Sequence, residues 1–463
     1  MKKWRVVAST LMAFALAAGC TASAMAEPTP DQYGVIGADQ WAEIYPNEYN
    51  SYLENAKNVP LEYGEFLANG GVDTTSKGVD AITDFTSDKV NYLADDQAPE
   101  IKTLGKGYGY AKYYTEPAGH TYSLWTVANN GRLGPLPEST GKIGCYSCKT
   151  PQIHYEDAAS TDPASFYTQP ISEYADAYTE NVSCANCHVN DDPTKLQVLR
   201  ADWVRAMGED AATVPLEGQV CGQCHCDYSM APVNDEDPWD NGEPTSPYYG
   251  GLASMTPESA LAFYDEYNFA DWTYASTGAK MISVRHAEFE FYYANPGSTM
   301  MMLGYNCNDC HMGLAIAADG TEYTSHYWNS PLENEALLES CNMCHGDLVS
   351  FVKETQADID GRTHTLGLRA EQFIKNFESK VAKADADGKL VFDMETATAN
   401  GLTEAQVAEL QKIQRYGCYY WNLAAAENSE GAHNPTFYNY LLEQGNKYFD
   451  QGDAILGMSS VIE

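Results

Sequence analysis

The chain has 463 residues, with 27 Lys and Arg against 65 Asp and Glu, giving a formal net charge of −38 at pH 7. That length suggests two or three domains. A surface this acidic argues against nucleic acid and anionic membrane as partners.

Met1–Ala26 reads as a secretory signal. Lys2, Lys3 and Arg5 precede an apolar run from Val6 to Gly19, and Ala24-Met25-Ala26 offers a cleavage site. Leu16-Ala17-Ala18-Gly19-Cys20 is the alternative, a lipoprotein signal ending at Cys20. No later apolar segment is long enough to span a bilayer. The mature protein is therefore expected to be exported, periplasmic or on the extracytoplasmic face of the membrane, with a lipid anchor at Cys20 as the variant. Glu27 to about Pro60 is a polar lead-in. Residues 61–144 alternate Gly-rich turns with aromatic pieces. They include Gly119-His120-Thr121-Tyr122 and Asn130-Gly131-Arg132-Leu133-Gly134-Pro135.

Residues 145–345 carry a repeated motif. Cys145-Tyr-Ser-Cys148-Lys149 comes first. Cys184-Ala-Asn-Cys187-His188, Cys221-Gly-Gln-Cys224-His225, Cys307-Asn-Asp-Cys310-His311 and Cys341-Asn-Met-Cys344-His345 follow. Two cysteines two residues apart, then an iron ligand, form the attachment pattern of a c-type haem. Each thiolate adds to a haem vinyl group, and the next residue is held against the iron. Zinc sites and redox dithiols share the spacing, but neither needs a His after every second Cys. Imidazole suits iron well. Lysine does so only with its amine deprotonated, which coordination and burial favour. Lys149 thus marks one haem as chemically distinct, and catalysis is expected there.

From Thr363 onward the pattern is helical. Phe373, Ile374, Phe377 and Val381 recur at helical spacing, and Gly388 is a plausible stop. Thr403-Glu-Ala-Gln406 reads as a capping box, and Asn434-Pro435 as an N-cap with its first helical residue. Strand signal is poor throughout. The expected class is mainly α, a multihaem cytochrome c fold with haems packed among helices and loops. Residues 27–463 read as one domain, with 363–463 a tail of three helices.

Five haems can take up to ten axial ligands. The motifs supply Lys149, His188, His225, His311 and His345. Of the 10 histidines, His120, His154, His286, His326, His364 and His433 remain. If these close every iron, the protein is an electron carrier; if one face stays open, a small molecule can bind. Composition alone leaves both readings standing. Of 13 cysteines, those outside the motifs are Cys20, Cys226 and Cys418. The last two read as buried free thiols, with a disulfide in an oxidising compartment as the alternative.

One CxxCK followed by four CxxCH and a helical tail resembles the pentahaem cytochrome c nitrite reductases that form ammonium. The resemblance covers most of the mature chain. It implies an open distal face on the Lys149 haem, lined by an Arg, a Tyr and a His. Arg132 matches the Arg that precedes CxxCK. Tyr228, in Cys221-Gly-Gln-Cys-His-Cys-Asp-Tyr228, matches the Tyr, and His286, in Val284-Arg285-His286-Ala287-Glu288, matches the His. It also implies His120 as distal ligand of the third haem, His326 of the second and His433 of the fourth. His154 and His364 have no match and read as ordinary histidines.

This sequence departs from the family in two places. The family's distal His for the fifth haem is missing before the fourth motif, where Met300-Met301-Met302 stands. Thioether sulfur ligates haem iron well, so His345/Met300 ligation is expected; otherwise the Met residues are core filler and His154 or His364 reaches the iron. The family also commonly binds calcium through an acid before the Tyr and a Gln before the catalytic His. Here Asp227 keeps the acid, but Arg285 replaces the Gln and has no acceptor. It is expected to fill the site and pair with Asp227, leaving no calcium.

The resemblance implies reduction of nitrite to ammonium, with Arg132 and His286 polarising the nitrite oxygens and Tyr228 orienting intermediates. It also implies a membrane-anchored multihaem quinol dehydrogenase as electron donor, and a homodimer built from the C-terminal helices. The competing readings are a non-catalytic multihaem electron-transfer cytochrome, a multihaem reductase of hydroxylamine or sulfite, and a filament-forming cytochrome.

Overall fold

The computed structural model describes residues 27–55, 100–107, 120–124, 127, 141–161, 163–174, 176–232, 241–293 and 296–462. The stretch expected to be a secretory signal, residues 1–26, and Arg132 lie outside the described residues. The architecture is mainly α. Among the described residues, strands form only short two-stranded antiparallel ribbons.

Helix α1 spans Pro46–Leu53 and α2 spans Gln152–Ala159. The second and fourth Cys-x-x-Cys motifs fold into single helical turns, and the fifth closes a longer helix. Helix α3 (Cys184–Cys187) starts at Ser183, whose side chain forms a reciprocal capping box with Asn186. In a helix, residues i and i+3 share a face, so a CxxC turn presents both thiols to one side. Helices α4 (Ala201–Met207) and α5 (Leu216–Gly222) follow, the latter leading into the third motif. Helix α6 (Pro257–Glu266) is capped by Thr256, and α7 (Glu288–Tyr293) packs its aromatic residues inward. Helices α8 (Thr299–Met302), α9 (Cys307–His311) and α10 (Glu335–His345) carry the methionine run and the last two motifs. Asn306 and Asp309 cap α9 as Ser183 and Asn186 cap α3.

The tail helix α11 runs over Leu348–Val381, capped by Asp347. It begins fifteen residues before the apolar periodicity becomes visible at Thr363, because its first turns stay largely exposed and have no apolar stripe to show. It also stops before Gly388. The chain turns there into a hairpin pairing Ala382–Ala384 with Leu390–Phe392, and Gly388 takes φ +79° at its tip. A short α12 (Met394–Ala399) precedes α13 (Glu404–Ala426), which opens on the Thr403/Gln406 capping box. Helix α14 (Pro435–Leu456) opens on Asn434 and ends at Gly457 in the left-handed region.

The three long helices pack closely through glycines. A Cβ on Gly452 of α14 would lie 2.2 Å from Phe373 of α11, and one on Gly417 of α13 would lie 2.6 Å from Phe449 of α14. This helical layer shares its core with α4, α6 and α7. A second, smaller core of Val127, Ile143, Tyr146, Ile153, Phe166, Tyr167, Ile171 and Tyr178 surrounds the first motif, with Cys145 packed against it.

Candidate haem ligands and active site

Three pairs of imidazoles face each other. The ring centroids of His120 and His225 are 6.0 Å apart, those of His188 and His326 6.0 Å, and those of His311 and His433 6.2 Å. Two imidazoles on opposite faces of one metal, each nitrogen roughly 2 Å from it, have centroids roughly 6 Å apart. Each pair joins one motif histidine to one from outside the motifs.

The surroundings select the ring nitrogen left for a metal. Nδ1 of His326 lies 3.0 Å from the Thr324 carbonyl, and Nδ1 of His311 lies 3.1 Å from that of Asn329. Nδ1 of His433 lies 2.5 Å from Glu427, and Nδ1 of His225 lies 3.5 Å from Glu288. In each ring Nε2 is left as the candidate ligand atom, the arrangement that second-sphere partners impose on metal-bound histidine. Ser51 and Asn55 hold the His326 backbone in place. Burial, with His225, Lys149 and His286 nearby, pushes His120 down to about 3, so it is a neutral imidazole. Burial also lowers His433, but Glu427 outweighs it and the net shift is upward.

The motifs also touch. The thiol of Cys148 lies within hydrogen-bond reach of Cys224, and that of Cys221 within reach of Cys307. The first motif therefore adjoins the third, and the third adjoins the fourth.

Around the first motif the chain gathers Tyr228, His286 and two arginines. The Tyr228 ring lies under the guanidinium carbons of Arg200, at 5.3 Å, and Arg285, at 5.8 Å. Burial raises its phenol further above the ordinary value, so it keeps its proton. Arg200 is buried, ion-paired with Asp202, and has Nη1 3.8 Å from Cys148 Sγ. The Arg285 guanidinium pairs with Asp271, not with Asp227 as the sequence suggested. Asp227 Oδ1 accepts the Arg285 backbone N–H at 3.4 Å and feels that residue's charge, while its Oδ2 accepts the hydroxyls of Tyr264 and Tyr419. His286 places Nδ1 3.6 Å from the same Glu288 oxygen that His225 approaches.

The other candidates are placed as follows. Nε2 of His154 sits 2.7 Å from the Ser147 carbonyl, and His364 pairs with Glu100 at 3.0 Å. Met300, in α8, is half-buried against the main core. His345 is exposed at the end of α10, its ring 5.2 Å from Phe351. Cys226 and Cys418 are buried and form no disulfide. Sequence reading missed Arg200 and Glu288 as members of this site. Glu288 stood in the quoted His286 segment, but nothing linear ties it to His225.

The donor set suits haem c, and so does the burial. Not one residue from 299 to 358 is buried, although the stretch forms defined helices and a ribbon. Protein interiors are close-packed, so this segment needs a large apolar body beyond its own side chains. The cysteines of the fourth and fifth motifs lie within it. A family model described as cytochrome c552 matches residues 37–461. The chain belongs to the cytochrome c552 family. Covalently bound haem c comes with that membership. The chain is 27% identical to the cytochrome c nitrite reductase subunit NrfA of Nitratidesulfovibrio vulgaris, over 94% of this chain and 82% of that protein. It is 25% identical to cytochrome c-552 of Bacteroides fragilis, over 88% and 73%. Its fold is similar to the catalytic subunit of cytochrome c nitrite reductase from Desulfovibrio desulfuricans, with TM-score 0.69 and 22% identity over 92% of this chain and 86% of that one. That protein is described with two calcium sites.

Proposed function

We propose that this cytochrome c552 is an ammonia-forming nitrite reductase with five covalent haems, working at the Lys149 motif. The allocation of histidines carries the reading. Three motif histidines have an imidazole partner at about 6 Å. His154 and His364 are engaged elsewhere. His286 is the one histidine left near Lys149; its Nδ1 is turned toward Glu288, and it stands with Tyr228 beside that motif as a substrate-facing group rather than as an iron ligand. Haem c would supply the electron path and, at Lys149, a metal with room for nitrite.

His286 then donates a proton to a nitrite oxygen, and Arg132 holds the other. Tyr228 orients the bound species through a hydroxyl that stays protonated. Arg200 and Arg285 are each neutralised by an aspartate, so Arg132, a protonated His286 and the charge the haem iron would supply are what offset the repulsion of an anion by the acidic surface. The test is an anaerobic assay of the holoprotein with a reduced viologen and nitrite, following ammonium. His286→Ala and Arg132→Ala are each expected to lower turnover roughly 100-fold or more at unchanged haem content. No ammonium from the wild type sinks the reading; faster turnover of hydroxylamine or sulfite reassigns the substrate.

For the fifth haem we keep Met300 opposite His345. Its support is that His154 and His364 are already held by Ser147 and Glu100. Loss of the thioether-to-iron absorption band in Met300→Ala tests it. The bidentate approach of Arg285 to Asp271, beside an Asp227 occupied by two tyrosines, supports a site without calcium. One calcium per chain in metal analysis would overturn that. Export, a membrane-anchored multihaem quinol dehydrogenase as donor, and a homodimer through the long helices complete the proposal. No described helix is long and apolar enough to cross a membrane. Light scattering tests the dimer, and fractionation of cells tests the location.

A further inference from the structure

Glu288 sits where the electron path and the proton donor meet. Its side chain is 12% exposed, at the start of α7. Oε1 accepts two donors from Asn428, the backbone N–H at 3.3 Å and the side-chain amide. Those two bonds fix the plane of the carboxylate. Oε2 is thereby aimed between two imidazoles, 3.5 Å from Nδ1 of His225 and 3.6 Å from Nδ1 of His286. It is buried and accepts no hydrogen bond at these ion-pair distances, and the buried Nδ1 of His286 likewise donates none. The two rings are 5.4 Å apart. His225 in turn faces His120 across 6.0 Å.

We propose that Glu288 is a positioning residue shared by the third haem and the catalytic histidine, so that one carboxylate oxygen sets both the donor strength of His225 and the orientation of His286. This rests on the reading of His225 as an iron ligand and His286 as the proton donor. A carboxylate has lone pairs enough to accept from both rings. Drawing the Nδ1 proton of His225 toward it makes Nε2 a stronger donor, which favours the oxidised metal. Drawing Nδ1 of His286 toward it leaves Nε2 of that ring for substrate. The same oxygen therefore tunes the last wire before the active site and holds the group that delivers protons there.

Glu288→Gln is the decisive variant. The Asn428 backbone N–H can only donate, and its side-chain NH2 donates alongside it, so the new amide is expected to keep its oxygen toward Asn428 and turn its NH2 against the two imidazoles. Spectroelectrochemical titration of the holoprotein should show one low-spin haem moving to higher potential while the other low-spin haems stay. Turnover with nitrite should fall roughly 10- to 100-fold, with a smaller change in KM. Glu288→Asp, which keeps the charge but retracts it, should shift the same haem less and recover part of the turnover. If the Gln variant fails to load haem, the Asp variant carries the test alone. Unmoved low-spin potentials in the loaded variants, with or without lost turnover, overturn the proposal. A wild type that makes no ammonium, with the potential shift still present, sinks the nitrite-reductase reading instead.

Discussion

At the scale of single residues, burial decides protonation in this molecule. Glu290 is 2% exposed and accepts the Asp227 backbone N–H at 2.7 Å. Burial, then the Asp227 charge, pushes its carboxyl up to about 8 from an ordinary 4.5. The folded state binds this proton more tightly than the unfolded chain does. Its stabilising contribution is complete below pH about 4.5 and is lost as pH rises toward about 8. Glu290→Gln mimics the protonated form and should flatten this dependence. Between pH 5 and pH 8 the variant should gain on the order of 3 kcal/mol relative to wild type in urea unfolding. An equal difference at both pH values would refute the assignment. Residue roles were only partly legible in the sequence. Cys145 through His345 announce themselves by spacing, because covalent attachment needs a fixed local geometry. Glu288 and Arg200 do not, since their meaning lies in what folding brings beside them. The partner of Arg285 was misjudged for the same reason. Asp227 was adjacent to the motif, but its Oδ2 accepts the hydroxyls of Tyr264 and Tyr419, and the guanidinium pairs with Asp271.

Helices and their contacts form the next scale. Gly452 and Gly361 are both helical, and replacing either with Ala should gain roughly 1 kcal/mol of helix propensity. At Gly452 the new Cβ meets Phe373 at 2.2 Å and Ile413 at 3.1 Å, whereas at Gly361 it meets nothing within 4 Å. Overpacking a core costs about 1–3 kcal/mol, which outweighs propensity at the first site only. Gly452→Ala should therefore lower the denaturation midpoint and Gly361→Ala raise it, as read by circular dichroism in guanidinium. Matching shifts in the two variants would show that the α11/α14 contact is looser than the structure has it. Caps were the most legible elements. Thr403/Gln406 and Asn434-Pro435 start helices where the side-chain chemistry says they should. The start of α11 was hidden because exposed turns carry no periodic signal.

For the whole molecule, charge and cofactor dominate. A formal charge of −38 surrounds a site proposed to admit the anion nitrite. Raising ionic strength from about 0.01 to 0.15 M shortens the Debye length from roughly 30 to 8 Å. The KM for nitrite should fall over that range, while a neutral substrate such as hydroxylamine should show little change. A KM for nitrite that rises with salt would mean that local positive charge governs entry. The acidic field was readable from composition; the local arginines became visible only once Arg200 and Arg285 were seen flanking Tyr228.

The unburied stretch from 299 to 358 has a consequence for how the protein is made. Its cysteines are not expected to wait inside a finished fold, because this stretch buries none of its own residues. This stretch is then expected to reach the attachment machinery slack, while the long helices, which bury one another through their own side chains, can dock without it. Cys341→Ser with Cys344→Ser should leave a chain that proteases cut between residues 299 and 347 while α13 and α14 survive, as mass spectrometry of the fragments would show. Uncut protein would mean the segment stands unaided. In the cell, porphyrin supply would then set the yield of this protein as firmly as transcription does.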